Sequence, residues 1–165
     1  METWSGFDCP TVPSAPCVSS QAREGRLVFS TFDPLTGVGR EVASIDAQNA
    51  ATRQWDLSPD GSRIAVADGE EGSVAILSLS DGERRNLKTE KMVQFEASWT
   101  SSSDALFVSG FANKRVLLRM DLEGKSRVLL EGDEYMVGFT ASPDGRHLAY
   151  IVGALNSNIW LLEHF

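Results

Sequence analysis

The chain has 165 residues, with 23 acidic and 15 basic side chains and a formal net charge of −8. An acidic surface repels phosphate backbones, which argues against a nucleic-acid-binding role. Hydrophobic residues make up 42% of the chain, and no run of them approaches the roughly 18 residues of a membrane span. The length suits one domain with a sizeable core.

The N-terminal region contains both cysteines of the chain, Cys9 and Cys17. The opening METWSGFDCP lacks the basic and apolar pattern of a signal peptide, so either the chain is cytosolic or its targeting segment belongs to a longer parent. Two cysteines without a CxxC spacing do not suggest zinc. A disulfide fits an extracytoplasmic parent, and two unpaired thiols fit a cytosolic chain. If one cysteine ends a strand and the other begins the next, the two lie close enough to bridge.

The first 49 residues fit a four-strand unit loosely. A first strand is predicted near 4–8 and a second at CVSS, residues 17–20. The segment RLVFSTFDPLTGVGREVASI resembles a third and a fourth strand joined by PLTG. The stretch DAQNAATRQ that follows has polar and small residues and no apolar stripe, as expected for a linker.

The rest of the chain alternates between apolar and polar residues with a period of two, which predicts short strands. One group of four predicted strands consists of RQWDL, RIAVAD, VAILSL and RNLK. The next group consists of FEASW, ALFVSGF, RVLLRMDL and RVLL. MVGFTA, HLAYIV and NIWLLE form a last group without a fourth strand. No segment has the apolar stripe of an amphipathic helix.

A recurring corner sets the length of the repeat. WDLSPDGSRIAV and FTASPDGRHLAY share Ser-Pro-Asp-Gly, and their serines, Ser58 and Ser142, are 84 residues apart. Midway between them, ASWTSSSDALFV has Thr100 in place of the serine and Ser103 in place of the glycine, yet it keeps the apolar pattern. The repeat is therefore half of 84, or 42 residues.

The residues of this corner suit a hairpin connection. Pro presets φ and cannot extend a ladder, Asp bonds to nearby backbone, and Gly accepts positive φ. Asp60 and Asp144 are therefore predicted to be structural rather than catalytic. The loss of the motif at 100–103, without loss of the strand pattern, supports this interpretation.

Four-stranded units that repeat about every 40–45 residues are typical of β-propeller blades. We predict an all-β fold in which the whole chain, 1–165, is one propeller segment of about four blades and part of a larger propeller. The predicted blades are 1–47, 50–89, 93–131 and 135–165. The predicted inter-blade aromatics are Trp55, Trp99, Phe139 and Trp160.

The repeats resemble a known family. LSPDGSRIAVAD and ASPDGRHLAYIV are similar to the WD40-like repeats of TolB-type propellers, which also occur in prolyl-oligopeptidase-type peptidases. LVFSTFDPLTGVGRE, WDLSPDGSRIAV and NIWLLEHF resemble the C-terminal propeller segments of large bacterial, notably acidobacterial, proteins that carry a kinase or winged-helix domain upstream. The resemblance covers 50–165 well and 1–49 weakly.

This resemblance implies that the chain is the end of a longer protein or a free-standing relative of it. It also favours a periplasmic or extracytoplasmic location. The kinase and DNA-binding motifs of those relatives have no counterpart in this sequence, so neither activity is carried over to any residue.

No catalytic, cofactor-binding or metal-binding constellation is visible. His147 and His164 are the only histidines, and neither has a neighbouring carboxylate–nucleophile pattern. FVSGF around Ser109 does not match a nucleophile elbow. DGEEG at 68–72 does not have the spacing of a calcium loop, and a solvated hairpin tip explains it.

Three functions remain open from the sequence. One is a non-catalytic module that binds a protein or a small ligand, such as the sensor or scaffold of a bacterial signalling protein. The second is the propeller gate of a prolyl-oligopeptidase-type serine peptidase whose catalytic domain lies elsewhere. The third is a degenerate structural fragment.

The candidate binding face is formed by loops that join second to third strands and one blade to the next. Loops on a rigid scaffold are the usual place for recognition; the alternative is that these residues only cover blade ends. The open edge of the last predicted blade favours self-association or further blades in a parent chain, unless N-terminal residues close a four-bladed ring. The candidate contact residues are Glu70, Glu71, Phe111, Asn113, Lys114, Tyr135, Met136 and Asn156.

Overall fold

The structure is a computed structural model that describes residues 3–46, 54–68, 72–89 and 93–153. These ranges contain fourteen β-strands, and none of their residues belongs to a helix that would be long and apolar enough to span a membrane. The strands are β1 (Thr3–Asp8), β2 (Cys17–Arg23), β3 (Arg26–Asp33), β4 (Gly37–Asp46), β5 (Trp55–Leu57), β6 (Arg63–Asp68), β7 (Ser73–Ser78), β8 (Arg84–Lys88), β9 (Val93–Trp99), β10 (Ala105–Phe111), β11 (Arg115–Asp121), β12 (Ser126–Gly132), β13 (Tyr135–Ala141) and β14 (Leu148–Gly153).

The strands form consecutive antiparallel sheets, which we call blades 1 to 4. Blade 1 has the order β1-β2-β3-β4, blade 2 β5-β6-β7-β8, and blade 3 β9-β10-β11-β12. Blade 4 contains β13 and β14 among the described residues. The all-β prediction is therefore confirmed, and the segments RIAVAD and ALFVSGF coincide with β6 and β10. Some of the predicted features lie outside the described residues. They are the strand NIWLLE with Trp160, the histidine His164, and most of the linker DAQNAATRQ.

The core lies between the blades in three clusters. Trp55 packs edge-on against Phe29 between blades 1 and 2, with 5.2 Å between ring centroids. Trp99 is 3% exposed and belongs to the cluster between blades 2 and 3, and Phe139 belongs to the cluster between blades 3 and 4. These three inter-blade aromatics lie where the sequence predicted them.

The second strand of a blade is buried on both faces when a blade packs on each side of it. In β6 the four residues from Ile64 to Ala67 are all buried, although an ordinary half-buried strand alternates. Each blade is thus held by apolar burial against its neighbours, and the inner strands β1, β5, β9 and β13 are brought side by side.

Candidate functional site

The Ser-Pro-Asp-Gly corners join the first strand of a blade to the second. In blade 2 the Ser58 N–H donates to the Arg63 carbonyl over 2.8 Å, and the Gly61 N–H donates to the Ser58 carbonyl over 2.7 Å. In blade 4 the corresponding distances are 2.9 Å from Ser142 to His147 and 2.8 Å from Gly145 to Ser142. The two corners therefore share one backbone hydrogen-bonding pattern.

The divergent corner of blade 3 keeps this pattern. The Thr100 N–H donates to the Ala105 carbonyl over 2.9 Å, and the Ser103 N–H donates to the Thr100 carbonyl over 3.0 Å. Ser103 has φ of 57°, close to the 71° of Gly61 and the 67° of Gly145. A serine here occupies the left-handed conformation that the glycines favour.

The corner carboxylates accept hydrogen bonds from their own turns. The Ser58 hydroxyl donates to Asp60 Oδ1 over 2.6 Å, and the Ser62 N–H donates to the same oxygen over 3.0 Å. Partial burial acts to raise the pKa of Asp60, but these bonds outweigh it and hold the pKa below its usual value. In blade 3, Asp104 accepts from the Thr100 and Ser102 hydroxyls instead.

Ser142, Asp144 and His147 come together without the geometry of a catalytic triad. The Ser142 hydroxyl donates directly to Asp144 Oδ1 over 2.5 Å, and its oxygen accepts the backbone N–H of His147 over 3.0 Å. The imidazole Nδ1 lies 4.0 Å from Asp144 Oδ1. A triad requires the imidazole to contact the serine hydroxyl, so this arrangement supports the turn.

The ends of the four inner strands, together with the corners, line a cleft of about 350 Å³. In an antiparallel meander, the corner after the first strand and the turn after the second strand lie at opposite ends of the blade. The cleft therefore opens at the end opposite the predicted binding face. Its lining residues include Asp8, Thr11, Asp56, Pro59, Ser98, Ser101, Phe139, Thr140 and Pro143.

Carboxylates on the inner strands bond each blade to the next. Asp8 Oδ2 accepts the N–H of Leu57 over 3.1 Å, and Asp56 Oδ2 accepts the N–H of Trp99 over 2.7 Å. On β9, Glu96 Oε2 accepts the N–H of Gly138 over 2.7 Å. Each of these hydrogen bonds joins one inner strand to the next blade, so the three carboxyl groups help to set the spacing of the inner strands.

This set of carboxylates and the cleft were not predicted from the sequence. One feature of the sequence could have indicated them, namely a polar residue at the same position of the repeat. Asp56 and Ser98 are 42 residues apart, and each comes two residues before the first residue of a corner. Ser98 also bonds across blades, because its hydroxyl donates to the Phe139 carbonyl over 3.1 Å.

The predicted binding face contains an exposed ring-and-cation group. Phe111 is 45% exposed, and the Arg115 guanidinium carbon lies 5.8 Å from the Phe111 ring centroid and 4.5 Å from that of Tyr135. Such distances are typical of cation–π contacts. Asn113 is exposed in the same turn, and Lys114 Nζ lies 3.5 Å from Glu131 Oε1. Arg115, which sequence analysis did not select, thus connects two predicted residues.

Met136 was assigned wrongly to the exposed face. It is 9% exposed and belongs to the apolar cluster with Leu117 and Phe139. The reason is that β13 already begins at Tyr135, so the next side chain points to the opposite side of the sheet. The predicted residues Glu70, Glu71 and Asn156 lie outside the described residues.

Cys9 and Cys17 form a disulfide, with Cα atoms 4.1 Å apart. The disulfide closes a loop of residues 10–16, which packs on the corner of blade 2. The Thr11 N–H donates to the Pro59 carbonyl over 2.9 Å, and a Cβ built on Gly61 would lie only 2.6 Å from Ala15 Cβ. The loop therefore forms part of one wall of the cleft.

In the described ranges, no three His, Cys, Asp or Glu side chains are grouped so that they would hold a metal ion.

Comparison with known proteins gives a structural match. No protein-family model and no curated protein matches this chain. Among solved structures, the chain is similar to TolB from Acinetobacter baumannii, with a TM-score of 0.69 and 19% sequence identity. The match covers 93% of this chain and 39% of that chain, so this chain spans well under half the length of the TolB chain. At this identity the likeness shows the fold: the chain has the architecture of part of a TolB-type β-propeller.

Proposed function

We propose that this chain is a non-catalytic binding module whose cleft receives a segment of a partner protein or a small ligand. The observation that supports this function is the cleft itself, which all four blades line with their inner strands and corners. The corners are fixed by their own hydrogen bonds, and a preformed site loses little conformational entropy on binding. The resemblance of the repeats to signalling-protein propellers supports a role as a sensor or scaffold in a bacterial signalling protein.

The absence of catalysis is part of this proposal. Ser109 is 2% exposed, and the hydroxyl of Ser142 is engaged by Asp144, so neither is presented as an activated nucleophile. A fluorophosphonate probe should leave the purified chain unlabelled. Labelling at Ser109 or Ser142 would contradict the proposal.

The cleft can be tested against the opposite end of the blades with two matched tryptophan substitutions. Thr140→Trp fills the cleft, whereas Asn113→Trp adds the same ring to the exposed turn beside Phe111. We expect peptides selected on the wild-type chain from a phage-displayed library of random linear sequences to lose binding to Thr140→Trp, by at least about tenfold, and to retain it on Asn113→Trp. The reverse result would place binding at the Phe111 face. Failure of both variants to affect binding would reject both sites.

The proposal includes a partner for the outer face of blade 4, either a further blade or a second copy of the chain. Ile151 is 63% exposed, whereas Ala67 and Ser109, which occupy the same position of the repeat in blades 2 and 3, are 5% and 2% exposed. Inner blades are buried on both faces, so this face has the character of an inter-blade surface.

A further inference from the structure

Phe7 in blade 1 holds the position of the inter-blade aromatics of other blades. Phe7 is followed by Asp8, which accepts a backbone N–H from the inner strand of the next blade. Trp55 is followed by Asp56, which does the same one blade further along. Phe139 lies 84 residues after Trp55, which is two repeats. The three aromatic rings therefore occupy one position of the repeat.

Rings at this position pack on the blade that comes before their own. Trp55 packs against Phe29 of blade 1, and Phe139 is 4% exposed in the cluster between blades 3 and 4. Among the described residues no blade precedes blade 1, and Phe7 is 66% exposed. Its ring lies beside Phe32, with 5.4 Å between centroids. We call Phe7 and Phe32 the front face of the chain.

The other end of the series exposes the opposite side of a blade. Phe139 and Leu148 face blade 3. Their neighbours Thr140 and Ala149 pair across the two strands and point away from blade 3, because side chains alternate along a strand. Ile151 lies two residues beyond Ala149 on the same side and is 63% exposed. We call Thr140, Ala149 and Ile151 the rear face of the chain.

Thr140 has a position from which an inner strand bonds to the next blade. The hydroxyl of Ser98, one repeat earlier, donates to the Phe139 carbonyl of the following blade over 3.1 Å. Thr140 carries the same kind of donor and is exposed, and its hydroxyl makes no hydrogen bond to another described residue. In a blade that followed blade 4, the acceptor would be the carbonyl at the position of Phe139. In blade 1 that carbonyl belongs to Phe7.

We propose that the rear face of one copy docks on the front face of a second copy, so that blade 1 of the second copy follows blade 4 of the first. The front face supplies the aromatic ring and the carbonyl that fit the rear face, and one kind of contact covers both exposed ends of the chain. The two surfaces differ, so the contact is heterologous. This inference rests on the proposed partner for blade 4 and selects a second copy as that partner.

Two lysine substitutions with the same change of charge test the contact. Ile151→Lys blocks the rear face and Phe7→Lys blocks the front face, while Leu35→Lys is the control at a 95% exposed turn residue. In sedimentation velocity, wild type and Leu35→Lys should form species of two or more chains as the concentration rises. Each blocked variant alone should lose this association, with an apparent dissociation constant at least about tenfold higher. A wild-type chain that stays monomeric would overturn the proposal, as would a Phe7→Lys variant that associates like wild type.

A mixture of the two blocked variants separates this contact from a symmetric one. Phe7→Lys keeps its rear face and Ile151→Lys keeps its front face, so the mixture should form a complex with one copy of each, although neither variant associates alone. A contact between two rear faces would instead leave Phe7→Lys associated by itself. Circular dichroism spectra that match wild type establish that both variants fold, and a mixture that then stays monomeric overturns the proposal. No peptide is added, so this failure is distinguishable from failure of peptide binding in the cleft.

Discussion

At the scale of single residues, the corner of blade 3 shows how the repeat tolerates loss of its motif. Ser103 adopts a positive φ of 57°, a conformation that costs a non-glycine residue about 1 kcal/mol or more. Its hydroxyl accepts the Asp60 N–H over 3.2 Å, and its carbonyl accepts from Arg63 over 2.7 Å. These bonds to the corner of blade 2 offset the cost, so the sequence diverges while the backbone is retained.

The glycine of the blade 2 corner gives a test of the contact with the disulfide loop. Gly61→Ala should destabilise the chain by about 2–3 kcal/mol for two reasons. Residue 61 has a positive φ, which strains an alanine, and the added Cβ would collide with Ala15 and Pro10. Gly82→Ala is the matched control, since Gly82 has a similar φ of 73° with nothing within 4 Å of its Cβ, and it should cost about 1 kcal/mol. Urea unfolding of both variants measures the difference, and equal losses would contradict a steric role for the loop.

At the scale of elements, the loop of residues 10–16 joins β1 to β2 within blade 1 and packs against the corner of blade 2. Its two ends are joined by Cys9 and Cys17, and its Thr11 side chain donates to the Pro59 carbonyl over 3.0 Å. A covalently closed loop has fewer unfolded conformations, so its contact with the neighbouring blade is formed at a lower entropic cost.

The disulfide gives the second prediction. Replacing Cys9 and Cys17 by serine should lower the free energy of unfolding by about 2–3 kcal/mol, as loop-closure entropy predicts for so short a loop. Denaturant unfolding of the variant and of the oxidised wild type measures this. Thiol titration of denatured, unreduced protein made in an oxidising compartment should find no free thiol. Two reactive thiols in that material would contradict the bridge.

At the scale of the whole molecule, the outer face of blade 4 distinguishes it from the inner blades. Ile151 in β14 is 63% exposed, whereas Ala67 in β6 and Ser109 in β10, at the same position of the repeat, are buried. Exposure of an apolar residue at a position that is buried in the other blades is expected of an uncovered inter-blade surface. We expect the four blades to form an arc whose last sheet has an uncovered face, rather than a closed ring.

The third prediction concerns this face. Ile151→Lys should reduce self-association of the chain, because it places a charge on the apolar surface that a second copy would cover. Leu35→Lys is the control, since Leu35 is 95% exposed but lies in an isolated turn. Sedimentation velocity over a range of concentrations compares the two variants. A compact wild-type monomer of 18.0 kDa at all concentrations, with Trp55 and Trp99 shielded from quencher, would contradict the arc.

The sequence by itself determined the all-β fold, the 42-residue repeat, the approximate positions of most strands and the structural role of the corners. These depend on local chemistry: period-two alternation defines strands, and Pro, Asp and Gly define turns. Phe111 and Tyr135 could be selected because the turns between strands are recognisable from the local sequence. The placement of Met136 on the binding face was wrong, because a shift of one residue at a strand end turns the side chain to the opposite face of the sheet.

Only the tertiary structure decided which of these residues meet. Asp8 and Leu57 are 49 residues apart, and Asp56 and Trp99 are 43 apart, so their contacts follow from the packing of whole blades. Arg115 joins Phe111 to Tyr135 for the same reason. The cleft and the carboxyl groups that line it are positioned by the spacing and twist between neighbouring sheets, which depend on the summed volumes of buried side chains rather than on any short stretch of sequence.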